Sequence, residues 1–290
     1  MPHHTLISTQ DLFTNLSDPN WIVFDCRHDL ADVEAGRRAY AADHIPGARF
    51  AHLDENLSGA KTERSGRHPL PEVVAFAAWL GTQGVDVRKQ VVAYDASGGY
   101  YAARLWWMLR WLGHETVAVL DGGLPKWKIE GRSLTRAAPR IEATTFTPRR
   151  RDALRVEAST VLANLRSPGM LLVDARSPER FAGKNETMDP VGGHIPGAVN
   201  RLFQLNLDNA GVFKPQGVLR KEFIELMVGH TPEQIVHQCG SGVTACHNLL
   251  AMEIAGLKGS RLYPGSWSEW CADPSRPVEP RPVRPPATNA

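Results

Sequence analysis

One stretch of the chain concentrates residues able to do covalent chemistry: Cys239-Gly240-Ser241-Gly242-Val243-Thr244-Ala245. Gly240 and Gly242 let a loop curl through positive φ, which other residues resist. A curled loop aims successive N–H groups at one point, making an anion-binding nest ahead of a helix N-terminus. That setting favours a thiolate at Cys239, and the thiolate is the nucleophilic form. A phosphatase or arsenate reductase with a cysteine-headed loop needs an arginine at the sixth position after the cysteine to clamp the oxyanion. Here that position is Ala245. Sulfur transfer through a persulfide needs only a thiolate and N–H donors, and this loop offers both. A non-enzymatic persulfide carrier, loaded and unloaded by a partner protein, is the alternative outside enzymes. Cys26, Cys246 and Cys271 lack such a setting and read as structural thiols. No Cys-x-x-Cys or His-x-x-x-His pair suggests a metal, and no cofactor is expected.

The loop needs an element on each side. Ile235 to Gln238 reads as a buried strand ending at Cys239, and ligands gather at the carboxyl ends of strands in open α/β sheets. A helix is expected from Thr244 to Ala255, with apolar Leu249, Leu250, Met252 and Ile254 and a stop at Gly256. The same pattern occurs earlier. Val91-Val92-Ala93-Tyr94-Asp95 leads to a helix over Tyr101 to Leu112, whose Trp106 and Trp107 read as core.

This is one part of a duplication. Ile22-Val23-Phe24-Asp25-Cys26-Arg27 is echoed by Leu171-Leu172-Val173-Asp174-Ala175-Arg176, and His44-Ile45-Pro46-Gly47-Ala48 by His194-Ile195-Pro196-Gly197-Ala198. Gly122 and Trp127 match Gly265 and Trp270. Asp95 stands where the second half has Cys239. A period of roughly 145 residues is too long for a solenoid and implies tandem domains. Short Val/Ile/Leu runs alternating with helical patterns imply an α/β fold, each domain a mainly parallel sheet with helices on both faces. We place the domains at 1–135 and 157–275. A surface linker is expected over 136–156. A Pro-rich tail follows at 276–290, part of an extended or disordered stretch from Asp273 with six prolines. Because Asp25–Arg27 and Asp174–Arg176 recur in both halves, as do His44 and His194, these are expected to be structural.

With 290 residues, 42% hydrophobic and 22% charged, the chain has an ordinary globular composition. A net charge of +2 argues against a nucleic-acid partner, and the Arg149-Arg150-Arg151 run is short. No run approaches the about 18–20 apolar residues of a membrane span, and the N-terminus lacks an apolar signal core. The cytoplasm is the expected location, with the four cysteines as free thiols.

Together, both His-Ile-Pro-Gly-Ala elements, Asp121-Gly122-Gly123 and the Cys239 loop resemble the tandem-domain sulfurtransferases of the rhodanese superfamily, over about Thr5 to Pro277. The resemblance implies an inactive N-terminal copy and an active site in the second domain, at the interface. Thiosulfate-preferring members carry basic residues directly after the cysteine. Gly240-Ser241 instead resembles the mercaptopyruvate-using members, which implies a relay of Ser241, His68 (in Arg67-His68-Pro69-Leu70-Pro71) and Asp54 (in His52-Leu53-Asp54). The implied donor site comprises Arg180, Gly240, Gly242, Val243 and Thr244. A second arginine, implied about nine residues after Arg180, is replaced by Met188-Asp189. Lys184 is the candidate to compensate, as a point charge without the arginine fork. The implied donor is 3-mercaptopyruvate, or alternatively thiosulfate, and the acceptor is cyanide or a thiol such as thioredoxin or glutathione.

Overall fold

In the computed structural model, which describes residues 2–280, the duplication appears as two parallel sheets. The first half contains β1 (Leu6–Ile7), α1 (Thr9–Asn15), β2 (Trp21–Asp25), α2 (Ala35–Ala42) and β3 (Arg49–Phe50). It continues through α3 (Val73–Thr82), β4 (Gln90–Tyr94), α4 (Ala102–Trp111), β5 (Val117–Leu120) and α5 (Gly123–Ile129). The second half contains α6 (Ala158–Asn164), β6 (Leu171–Asp174), α7 (Pro178–Phe181), β7 (Val199–Asn200) and α8 (Gln216–Met227). There follow β8 (Ile235–Gln238), α9 (Ala245–Ile254), β9 (Arg261–Leu262) and α10 (Ser266–Cys271).

The sheet orders are β1-β5-β4-β2-β3 and, read in the matching direction, β9-β8-β6-β7. The counterpart of β1 is a single parallel bridge from Arg155 to Leu262. The strands are apolar on both faces because both faces are covered. Ile22, Phe24, Val91 and Ala93 face α3 and α4, while Val23, Val92 and Tyr94 face the layer of Leu12, Leu124 and Trp127.

The first of these cores runs without a break into the second domain, where Val173 and Ile235 lie under α8 and α9. Helices α4 and α9 pack on one another across the interface, with Arg110 Nη1 3.2 Å from Glu253 Oε2. Trp106 and Trp107 are buried there, as their spacing predicts. The repeated motifs play repeated structural parts. Arg27 pairs with Asp25 at 2.7 Å and Arg176 with Asp174 at 2.6 Å. His44 stacks on Tyr40 and His194 on Phe181, each ring bonded to the carbonyl of the residue it stacks on.

Residues 136–151 cross the first domain without regular structure, anchored by buried Phe146. The tail differs from expectation. The stretch expected to extend from Asp273 is held to the domain as far as 280. Pro277 offers its carbonyl to Trp270 Nε1, Val278 packs on the second domain's core around Trp267 and Trp270, and Glu279 pairs with His194. Proline removes a donor but leaves an acceptor, so a Pro-rich strand can still dock. Residues 281–290 lie outside the described residues.

His247 on α9 ties the domains together. Its Nε2 lies 3.0 Å from the Gly98 carbonyl and Nδ1 3.1 Å from Asn206, with Phe213 stacked on the ring. Burial lowers it from 6.5 to about 4. The unfolded chain therefore binds a proton that the folded one refuses. Stability from this residue is present above about pH 6.5 and is lost as pH falls to about 4, amounting to about 3 kcal/mol. We expect His247→Gln to flatten the slope of unfolding free energy against pH over that window, measured by urea titration. An unchanged slope would remove His247 from the acid response.

Candidate active site

Strand β8 delivers Cys239 to the interface, and its loop is braced by the start of α10. The Cys239 N–H donates to Ser266 Oγ at 3.1 Å, and the carbonyls of Cys239 and Gly240 accept from Trp267 and Ser268. Gly242 has φ +76, and an added Cβ would lie 2.2 Å from the Pro264 carbonyl oxygen, so only glycine fits. The helix begins at Ala245, one residue later than expected.

The copy with Asp95 in place of the cysteine shows what this loop geometry holds. The Asp95 carboxylate, fully buried, accepts N–H bonds from Ser97, Gly99, Tyr101 and Ala102 at 2.8–3.0 Å. Burial pushes this carboxyl up while the four amides pull against that shift. In the second copy the N–H groups of residues 240–244 have no acceptor among the described residues.

Two residues expected beside Ser241 come from the first domain. His68 Nδ1 is 2.7 Å from Ser241 Oγ, and its Nε2 is 3.4 Å from Asp54 Oδ1. The second distance is Coulombic contact longer than a good hydrogen bond. Lys61 also approaches Asp54, at 3.6 Å. Burial first, and the Arg104 charge second, pull His68 down to about 3, so its imidazole is neutral at neutral pH. A carboxylate beside Nε2 favours the proton there, leaving Nδ1 to accept from the serine hydroxyl.

Cys239, Ser241, Arg180 and Arg67 line one cavity of about 270 Å³ with Tyr101 and Phe203. Gly240, Val243 and Thr244 line it as well; His68 and Asp54 are not among its lining residues, and neither are two expected members of the donor site. Gly242 turns its carbonyl to Arg104 Nη1 at 2.9 Å, away from the cavity. Lys184 is exposed outside it, because the chain reverses at Gly183 (φ +75) after the short α7 and carries Lys184 to solvent. Glu186 and Asp189 turn inward instead.

Sequence reasoning passed over Arg67, Arg104, Glu186 and Asp189. Arg104 had a visible signal, a cation set among the apolar residues of the first turns of α4. It is fully buried and also donates to the carbonyls of His68 (3.1 Å) and Leu57 (3.3 Å). Among the described residues no carboxylate pairs with it. Burial pushes its guanidinium down, and Cys246 and Cys239 are the groups that oppose this. Cys246 is itself raised to about 12 by burial, which fits a structural thiol.

The rhodanese-like domain profile matches residues 8–130 and again 157–273. The chain belongs to the rhodanese family. Among family members, a probable 3-mercaptopyruvate sulfurtransferase of Pseudomonas aeruginosa is 45% identical over 94% of this chain and 97% of its own. The thiosulfate sulfurtransferase of Bos taurus is 34% identical over 92% of each chain. The 3-mercaptopyruvate sulfurtransferase of Leishmania major superposes with a TM-score of 0.82 at 29% identity, covering 93% of this chain and 75% of that one. Two tandem α/β rhodanese domains are thus the family architecture and the one found here. No helix among the described residues is long and apolar enough to cross a membrane.

Proposed function

We propose that this protein is a sulfurtransferase that takes sulfur from 3-mercaptopyruvate onto Cys239 and passes it to a thiol or cyanide. The observation that carries this reading is the 2.7 Å contact of neutral His68 with Ser241, which shares a cavity with Cys239 and three arginines. The Cys239 thiolate attacks the donor sulfur. An S–S bond forms, the C–S bond breaks, and its electron pair leaves as the enolate of pyruvate. The persulfide proton passes through Ser241 and His68 to the enolate carbon, giving pyruvate. The free N–H groups of the loop then hold the anionic persulfide. Cyanide, or a thiolate of the thioredoxin or glutathione kind, attacks the outer sulfur and restores Cys239. Four buried free thiols suit a reducing compartment such as the cytoplasm.

Thiosulfate, named for the bovine relative, is the second donor to consider. It needs no carbon protonation, so the relay would be idle. Two half-reactions through one covalent intermediate predict parallel double-reciprocal plots with mercaptopyruvate and cyanide. Donor alone should add the mass of one sulfur atom to the Cys239 peptide. Intersecting plots without a sulfur adduct would exclude this mechanism.

A further inference from the structure

Three arginines line the cavity, Arg67 from the first domain and Arg176 and Arg180 from the second, and two of them reach the Cys239 loop. Arg180 stands on α7, and Arg67 comes from the loop that carries His68. They converge over Gly240: a Cβ there would lie 2.7 Å from Arg67 Nη2 and 3.7 Å from both terminal nitrogens of Arg180. Glycine at 240 is therefore what admits Arg67 to the position beside the nucleophile.

Each arginine already has an anion. Asp189, whose side chain is 2% exposed, bonds Arg67 Nη1 through one oxygen and Arg180 Nη2 at 3.2 Å through the other. Glu186 accepts from Arg180 Nε and Nη2, both at 2.9 Å, and lies 3.6 Å from Arg176, which Asp174 holds in turn. Arg67 Nε is buried with no partner among the described residues. Three arginines thus face three carboxylates, and the cluster is neutral.

A neutral cluster accepts one negative charge by exchange. An incoming carboxylate can replace that of Asp189 between the two guanidinium groups, and if the displaced Asp189 carboxyl takes up a proton no surplus charge is left in a poorly solvated place. A dianion cannot, since one exchange still leaves an extra charge. The two acids differ in the expected sense. Burial pushes the Asp189 carboxyl up in spite of Arg67, whereas for Glu186 burial is outweighed by Arg180 together with the N–H groups of Met188 and Asp189, which hold it low. Asp189 is the exchangeable partner and Glu186 the fixed one.

We propose that Arg67 and Arg180 form a cross-domain clamp for the donor carboxylate, and that Asp189, seated in the clamp between turnovers, tunes it to monoanionic α-keto acids against dianionic thiosulfate. This rests on the sulfurtransferase reading. It makes Arg67 and Asp189 specificity-determining residues of that site and explains how the chain manages with one arginine in the 180–189 segment.

The test compares kcat/KM for 3-mercaptopyruvate and thiosulfate, with cyanide as acceptor, in the full-length wild type and in Asp189→Asn, Arg67→Ala and Arg67→Lys. Asp189→Asn keeps the side-chain shape and removes one negative charge, so the thiosulfate-to-mercaptopyruvate ratio should rise about tenfold. Arg67→Ala should raise the mercaptopyruvate KM about tenfold with a smaller change in kcat, and Arg67→Lys should recover part of it. A wild-type donor ratio in Asp189→Asn overturns the tuning, and a wild-type KM in Arg67→Ala overturns the clamp. If Arg67→Ala does not fold, the isosteric Asp189→Asn still decides, because its donor ratio depends on the same two guanidinium groups. A wild type that turns over neither donor would count against the sulfurtransferase reading itself.

Discussion

Cys239→Ser is expected to remain folded while losing sulfur transfer by on the order of 10³-fold or more. The fold should survive because the local supports are backbone groups: the N–H to Ser266 Oγ and the carbonyl to the Trp267 N–H. The residue is 2% exposed, and serine is no larger. Transfer should fail because an alcohol cannot take sulfur from a donor and return it. Among the other thiols Cys246 is closest in the chain, but burial holds it protonated and its Sγ donates to the Gly242 carbonyl. Intact mass after treatment with donor alone separates the possibilities. A wild-type adduct absent from Cys239→Ser supports the assignment, and an equal adduct in both proteins rejects it.

Arg104→Met is expected to cost about 100-fold in kcat/KM with only a modest change in stability. The balance of energies explains the split. Removing the guanidinium strips a donor from three carbonyls, those of Gly242, His68 and Leu57, at about 1–3 kcal/mol each if they find no water. It also relieves the burial of a charge with no carboxylate partner, which costs several kcal/mol of the opposite sign. These nearly offset, so the thermal midpoint should stay within about 5 °C. Activity has no such compensation. One guanidinium holds both the Cys239 loop, through Gly242, and the His68 loop, through the His68 carbonyl. Without it the two halves of the site are free to shift by a fraction of an ångström. Arg104→Lys keeps the charge but not the fork, and should fall between the two. A folded Arg104→Met enzyme with wild-type kcat/KM would show that the loops hold their register unaided.

Much of this site is legible in one dimension because its logic is local. A buried strand, two glycines and a helix start follow one another around Cys239, and each acts on its neighbours. The first copy is legible for the same reason, with Asp95 in the matching position. His68 and Asp54 drew attention only through family resemblance, since a histidine in a Pro-rich loop carries no local sign of what it faces. Lys184 shows the opposite failure. Its position along the chain suited the cavity, but the turn at Gly183 carried it outward and brought Asp189 in.

The sequence by itself determined that there are two α/β domains, that one carries at a strand end the cysteine we propose as nucleophile, and that Ser241 accompanies it. Tertiary structure alone decided which side chains complete the site. Ser241 and His68 are 173 residues apart, and Arg104 and Gly242 are 138 apart. Those contacts depend on how α4 seats against α9, a docking of apolar surfaces that periodicity announces but does not orient. The pairing of Arg67 with Asp189 depends on the same docking, since a charge finds its partner by distance in space, not along the chain.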